Sequence, residues 1–276
     1  MSLMKKISYS CSSLKSKQRG VSLVEVMVSM AIGLVIITLV SLIYLEGIRT
    51  LAFRQGQSEN LGNGRYTLET LGLEFAKAGY RRDPTQLMRD AFPAEVASNE
   101  CAFTAGQSIY VTSQGALCIR YQPRDDAEKD CAGRSGGISG LGPYKQADHP
   151  KEGGGMFVEK YYVANDKLYC QVDNELVEMA DGVRDIHFAF GVGGSVNDPY
   201  RPRQVESYRD SVSSDDAIRA LRFSILLVSS NRVTGGIESN VCSRWKEASG
   251  RENCDASNGY LYQIASSALT LRNLMP

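Results

Sequence analysis

Few side chains suited to catalysis or metal binding occur in this sequence. Among its 276 residues the only histidines are His149 and His187, and neither stands at metal-ligand spacing from a second histidine or a cysteine. GxSxG, P-loop and GxGxxG motifs are absent, and residues 191–194 follow a strand pattern without opening a helix. The sequence therefore predicts a protein that is not an enzyme and that holds no cofactor and no metal.

One polar segment contains several carboxylates. Asp210, Asp215 and Asp216 precede a strand pattern that starts near Arg219, and Asp198 lies in the same segment. Carboxylates in loops can bind calcium, but this spacing does not match an EF-hand. Solvated loop acids are common, so calcium binding remains an alternative to the prediction of no metal site.

Charge is absent from a long segment near the N-terminus. Residues 26–45 include no Asp, Glu, Lys or Arg. Twenty such residues form a helix of about 30 Å, the thickness of a bilayer core. Residues 1–20 contain several basic residues and no acidic one. The positive-inside rule then predicts a single-pass inner-membrane protein with a cytoplasmic N-terminus and a periplasmic part after Glu46.

A site for an ordinary signal peptidase is also lacking. No Ala-x-Ala motif follows the apolar segment, and residues 43–46 match one poorly. Cleavage after Gly20 would instead remove only the basic leader, residues 1–20, and make Val21 the new N-terminus. Glu25 would then be the fifth residue of the mature chain. A carboxylate inside an apolar helix costs about 2–3 kcal/mol in hydrocarbon, and such residues usually have a function.

The junction from Gly20 to Glu25 resembles the type IV prepilin motif, in which a glycine precedes an apolar residue, three further residues and a glutamate. In that family a membrane aspartic peptidase cleaves after the glycine and N-methylates the new terminus. The resemblance implies processing at Gly20 and Val21, although the family usually has Phe where Val21 stands. Glu25 would pair with the Val21 amine of an adjacent subunit, because two buried charges cost far less as a pair than alone. The alternative is an inert anchor whose Glu25 reaches the cytoplasmic interface.

An amphipathic pattern continues beyond the apolar segment. Apolar and small residues share one helix face at three- and four-residue spacing: Leu61, Gly64, Leu68, Leu71, Phe75 and Ala78. The helix is predicted to end at Gly79, with a bend or local melting at residues 62–64. Residues 21–45 would lie in the membrane or filament core, and residues 46–79 would pack on a globular head formed by residues 80–276.

From about residue 100 the pattern changes to that of strands. Two hairpins are predicted, from residues 108–112 with 117–121 and from residues 157–163 with 167–172. Apolar alternation and composition predict three more strands, at residues 184–192, 219–228 and 259–271. Long polar loops are predicted at residues 125–155, 193–216 and 233–258. The predicted fold class is α+β, with a long N-terminal helix packed on an antiparallel sheet in a pilin-like arrangement.

Six cysteines follow the apolar segment, and they are Cys101, Cys118, Cys131, Cys170, Cys242 and Cys254. An even set beyond a membrane segment indicates disulfides in an oxidising compartment. Six cysteines allow many connectivities, which the sequence leaves open. Pairing neighbours as 101–118, 131–170 and 242–254 closes the shortest loops and is the scheme that we expect. Reduced, buried thiols are the alternative.

Four further stretches resemble the PilW-type minor pilins of type IV pili, and they read NGRYTLE (63–69), EFAKAGYR (74–81), GVRDIHF (182–188) and ALTLRN (268–273). The resemblance implies a minor pilin that is processed by prepilin peptidase, held in membrane lipid and primed at the inner-membrane assembly platform. It would join other minor pilins and the major pilin at the filament tip and support twitching motility, adhesion or DNA uptake.

Three points limit this interpretation. The part of the chain after the leader is mildly acidic, which gives no basis for direct nucleic-acid binding. A J-type minor pseudopilin of type II secretion has a similar build and is one alternative. A membrane-tethered periplasmic adhesin or binding module that never polymerises is the alternative from another class.

Overall fold

The computed structural model describes residues 20–97, 99–138, 140, 142, 144–145, 155–195, 204–233 and 240–275. The leader up to residue 19, His149 and Asp198 lie outside these ranges. The helices are α1 (Leu23–Ala76), α2 (Met88–Ala91) and α3 (Val241–Ser249). The strands are β1 (Glu95–Val96), β2 (Ala102–Phe103), β3 (Ile109–Val111), β4 (Leu117–Tyr121), β5 (Phe157–Ala164), β6 (Lys167–Val172), β7 (Glu175–Asp181), β8 (Val183–Ser195), β9 (Ser207–Arg209), β10 (Asp216–Arg232) and β11 (Tyr260–Thr270).

The chain divides into two compact units, one up to Ile48 and one from Arg49 onward. The second unit contains two larger antiparallel sheets rather than the one that was predicted. One has the strand order β11-β10-β8-β9, the other has the order β3-β4-β5-β6-β7, and β1 and β2 form a separate pair. The predicted class, a long N-terminal helix packed on antiparallel strands, is confirmed.

Both predicted hairpins form where the turn chemistry indicated them. Asn165 and Asp166, between β5 and β6, both have positive φ angles, 52° and 61°. This is the conformation of a type I′ turn, which Asn and Asp tolerate better than most residues and which matches the twist of the flanking strands. Gly115, between β3 and β4, has a φ of 82°. Local residue preferences therefore fix both turns.

Phe75, near the end of α1, joins the helix to both larger sheets. Its ring makes edge-on contacts with Tyr161 of β5 at 5.1 Å, Phe188 of β8 at 5.8 Å and Phe223 of β10 at 5.2 Å between centroids. Phe75 and Leu71 are fully buried in the main core. Aromatic pairs in this geometry stabilise by about 0.5–1.5 kcal/mol each beyond the area that they bury.

Most of the predicted face of α1 is buried, but the face also extends to residues that were not predicted. Its buried residues are Gly56, Asn60, Gly64, Thr67, Leu71 and Phe75, whereas Leu61 is 42% exposed. A Cβ atom at Gly64 would lie 2.7 Å from Cδ1 of Leu227 on β10. The helix also continues through residues 62–64 without the local melting that was one expectation there. Gly64 permits close approach of the helix to the sheet.

The three disulfides are Cys101–Cys118, Cys131–Cys170 and Cys242–Cys254. These are the pairs of the shortest-loop scheme. Their Cα–Cα distances are 5.9, 6.4 and 5.2 Å, within the range that a disulfide spans. Each closes a loop in the second unit, and such loops restrict the unfolded chain.

Helix α3 and strand β7 were not predicted. The segment interpreted as a polar loop at residues 233–258 contains α3, whose Trp245 is fully buried. Trp245 Nε1 donates to Asp185 of β8 at 3.0 Å, and Arg251 and Asn253 donate to the same carboxylate. Trp245 and the Cys242–Cys254 disulfide thus hold α3 to the rest of the unit. The lone tryptophan at this position was the available signal for a packed element.

Two buried arginines donate hydrogen bonds to backbone carbonyl groups. The guanidinium of Arg82 donates to the carbonyls of Pro123, Arg124, Gly142 and Lys145. The guanidinium of Arg120 donates to those of Phe92, Pro93, Thr104 and Gln107. Arg120 is fully buried, and Phe103 lies 4.6 Å from its guanidinium. Both arginine side chains therefore hold together the segments that carry these carbonyl groups, and those segments have few strand hydrogen bonds of their own.

Candidate functional site

The junction between Gly20 and Val21 is exposed and non-helical. Helix α1 begins two residues later, at Leu23, and Val21 is 67% exposed. A Cβ atom at Gly20 would meet nothing within 4 Å, and its φ lies outside the left-handed region. The fold therefore has no need of a glycine at this position. A peptide bond in this state is accessible to an enzyme that binds its substrate extended.

Glu25 lies in the first turn of α1. The carbonyl of Ser22 accepts hydrogen bonds from the N–H groups of Glu25 at 3.0 Å and Val26 at 3.2 Å, which makes Ser22 the N-cap residue. Ser22 and Glu25 have the spacing of a capping box, and a carboxylate in the first turn is favoured by the helix dipole. The sequence interpretation missed the helix start at Ser22, although the Ser-x-x-Glu spacing was visible.

The side chains after Glu25 form an apolar surface on all sides of the helix. Residues 26–45 are exposed except for Gly33, which is half-buried. The hydroxyl groups of Ser29 and Thr38 donate to the carbonyls four residues earlier, at 2.7 and 2.8 Å, so they need no water. With a mean hydropathy of 2.7 in its most apolar part, the helix is long and apolar enough to cross a bilayer. It fits membrane anchoring.

Within the described ranges, the acidic residues considered as calcium ligands are not brought together as a metal-binding group. His187 Nε2 lies 3.4 Å from Asp210, and burial lowers the pKa of this histidine. Asp216 instead accepts hydrogen bonds from Ser213 and Arg209. Among the described residues, the one group of three possible ligands is Cys131, Glu159 and Cys170. The two sulfur atoms of this group are joined in a disulfide, so they offer no thiolate.

Glu159 of β5 is a fully buried carboxylate. The hydroxyls of Tyr121 and Tyr161 donate to it at 3.0 and 2.6 Å, and the Cys131 N–H donates at 2.8 Å. Burial raises the pKa of Glu159 to about 6, and the Tyr161 hydrogen bond opposes the rise. The same burial, with the adjacent carboxylate, raises the pKa of both tyrosines.

Replacing Glu159 with glutamine is expected to remove a pH dependence of stability. The pKa of Glu159 in the folded chain, about 6, lies above the ordinary 4.5. The folded state therefore keeps a proton that the unfolded state loses between these values. The free energy of unfolding should fall by about 2 kcal/mol as pH rises through that window. Denaturant unfolding of the wild type and Glu159→Gln from pH 4 to 7 measures this difference.

The exposed Glu69 provides a matched control for that experiment. Glu69→Gln makes the same chemical change on the solvent side of α1 and should keep the wild-type slope. A Glu159→Gln variant with the wild-type slope would contradict the assignment of the pH dependence to this carboxylate.

Comparisons with known proteins bear on the N-terminal segment and on the fold. Residues 15–41 match a family model described as the prokaryotic N-terminal methylation motif. A search of curated proteins found no match. Among solved structures, a type IV-like pilin from Thermus thermophilus is similar, with a TM-score of 0.40 and 13% identity over 79% of this chain and 98% of that chain. The chain thus carries a prokaryotic N-terminal methylation motif that spans Gly20, Val21 and Glu25, and this motif supports a type IV pilin-like protein.

Proposed function

We propose that this chain is a PilW-type minor pilin. It is cleaved after Gly20, methylated at Val21 and held in the inner membrane by α1, with its second unit in the periplasm. There it joins a complex of minor pilins that primes filament assembly and remains at the filament tip. The major pilin, the prepilin peptidase and the assembly platform are its further partners.

The observation that carries this proposal is the state of the N-terminal junction. Gly20 and Val21 are exposed and non-helical, an uncharged helix follows, and residues 15–41 match the methylation motif. An ordinary signal sequence would lose the apolar helix on cleavage. Cleavage at Gly20 keeps it, and the mature chain then starts with a helix suited to the core of a bundle.

The proposed docking role of Glu25 follows from its surroundings. Within the described ranges its side chain has no hydrogen-bond or ion-pair partner, and apolar side chains follow it along the helix. Cleavage creates a positive charge at Val21. If many such helices pack together, each amine and each carboxylate leaves water, and pairing between neighbours removes most of that penalty.

Deletion of the gene and complementation with variants test this function. Loss of surface pili and of twitching, with normal exoprotein secretion, is the expected result. Lost secretion with normal pili would favour the J-type pseudopilin, and no change in either would favour an adhesin or binding module. Complementation with Glu25→Ala should recruit at least tenfold less protein into sheared filaments than the wild type. Recruitment equal to the wild type would contradict the docking role.

A further inference from the structure

The outer edge of β11 differs from the other strand edges in the second unit. Strands β3 and β9, at two other edges, have three residues each. Strand β7 is longer but carries the acidic residues Glu175, Glu178 and Asp181. Short length and charge are the usual means by which proteins prevent unwanted pairing at a sheet edge. These three edges are therefore protected.

Strand β11 has neither kind of protection. Its eleven residues, YLYQIASSALT, include no Asp, Glu, Lys, Arg or Pro. It pairs with β10 in unbroken antiparallel register from Tyr262 to Thr270, without a bulge. No other element among the described residues pairs with its opposite side. An edge strand presents alternate N–H and C=O groups outward, so β11 offers a regular row of unpaired backbone groups.

Strand β11 is packed against the protein on both faces over part of its length. On one face, Ala265 and Leu269 pack against the main core. On the other, Tyr262 is buried beside Trp245 of α3. Beyond the part that α3 covers, Ser266, Ala268 and Thr270 on this face are exposed. A preformed edge lowers the ordering cost of binding.

We propose that β11 is a docking edge for an extended strand of a different protein subunit, which adds to the four-stranded sheet. Backbone N–H and C=O groups in a row are matched by another strand and by no other regular element. The absence of charge on β11 favours an incoming segment that is itself uncharged. The inference rests on the proposed function for the compartment in which the partner is found and for the membrane anchor that excludes a second copy.

A second copy of this chain does not fit the same edge. Two copies of β11 pair antiparallel about a twofold axis that is perpendicular to the sheet, and this axis reverses every direction in the sheet plane. The part of α1 from residue 49 onward lies along that sheet, with Gly56 beside Ser229 and Gly64 beside Leu227. The two helices would therefore run in opposite directions, although both follow a membrane segment. Pairing with another edge of a copy would meet the short or acidic strands.

Photo-crosslinking of the full chain in its native cells tests the proposal. A benzophenone amino acid is placed in turn at Ser266, Ala268 and Thr270, and products are mapped by mass spectrometry. We expect crosslinks to another protein. When the probe moves by two residues along β11, the crosslinked site on the partner should also move by two residues, as it does between paired strands. Sites that do not advance in this way, or that lie in this same chain, would overturn the proposal.

A charge on the edge supplies the blocking variant. Ala268 lies opposite Arg222 on β10, so Ala268→Glu places its carboxylate beside a cation and keeps the sheet of the chain itself intact. It should lower the crosslink yield from Thr270 at least tenfold. Ser207→Glu, on the exposed edge strand β9, should leave that yield unchanged. Equal yields in the two variants, or no product from β11 at all, would show that β11 is not the docking edge.

These results are separable from those of the proposed function. A chain without a pilus phenotype could still give register-stepped crosslinks from β11. A confirmed minor pilin could equally give none.

Discussion

Replacing Gly20 with valine is expected to leave the chain uncleaved, with mature protein reduced about a hundredfold or more. The fold tolerates this change, because a Cβ at Gly20 meets nothing within 4 Å and the backbone is not left-handed. Any loss of cleavage therefore reports on the enzyme that binds the junction. Misplacing a scissile bond by about 1 Å can alone cost a hundredfold in rate. Intact mass of the chain extracted from membranes distinguishes the cleaved, methylated form from the precursor.

Gly33 provides the matched control for Gly20. It lies within α1, and a Cβ at Gly33 also meets nothing within 4 Å. Gly33→Val adds the same side chain and should be cleaved and methylated like the wild type. If Gly20→Val were processed at the wild-type rate, the proposal of cleavage after Gly20 would be wrong. The proposed pairing of Glu25 with a charged amine at Val21 would then be wrong too.

Replacing Arg120 with methionine is expected to destabilise the second unit by about 3–5 kcal/mol. The side chain is fully buried, and burial lowers its pKa to about 10, so it remains charged at neutral pH. Four carbonyl groups accept its N–H groups at 2.6–3.2 Å. Methionine fills similar space but leaves these carbonyls without donors. Buried carbonyl groups that lose the hydrogen bonds of a charged donor reduce the free energy of unfolding by about this amount.

Thermal and denaturant unfolding of the full chain in detergent measure the effect of Arg120→Met. A loss of this size corresponds to a fall of about 10 °C in Tm for a unit of this length. Arg124→Met is the control, because Arg124 pairs with Asp125 at the surface, with both side chains largely exposed. It should cost less than about 1 kcal/mol. An Arg120→Met variant as stable as Arg124→Met would contradict the account of the carbonyl contacts.

The sequence predicted the features that depend on local chemistry. The turn at Asn165 and Asp166 follows from the tolerance of these residues for positive φ. The first part of α1 follows from the absence of charge in residues 26–45. For the junction, residue types alone identified Gly20, Val21 and Glu25 as candidates, and the structure adds their exposure and the cap at Ser22.

Features that depend on distant contacts were missed. Helix α3 contains few apolar residues, and its buried Trp245 is held by Asp185, sixty residues earlier in the chain. Arginine is seldom fully buried, so no pattern marks Arg120 as an interior residue. The buried face of α1 is lined by Gly56, Asn60 and Gly64 near its middle, because the sheet approaches closely there. The search for apolar periodicity selected Gly64 but passed over Gly56 and Asn60, and it added Leu61, which is exposed.

The contacts of Arg82 have a consequence for the order in which the chain folds. Its four carbonyl partners lie 41 to 63 residues further along the chain. The described residues between Pro123 and Lys145 form no strand of the larger sheets, so these contacts supply much of their order. Contacts across such long loops form late, because the entropy of loop closure opposes them. This segment should therefore become resistant to proteases only once Arg82 has bound these carbonyls, and its cleavage would report on that step.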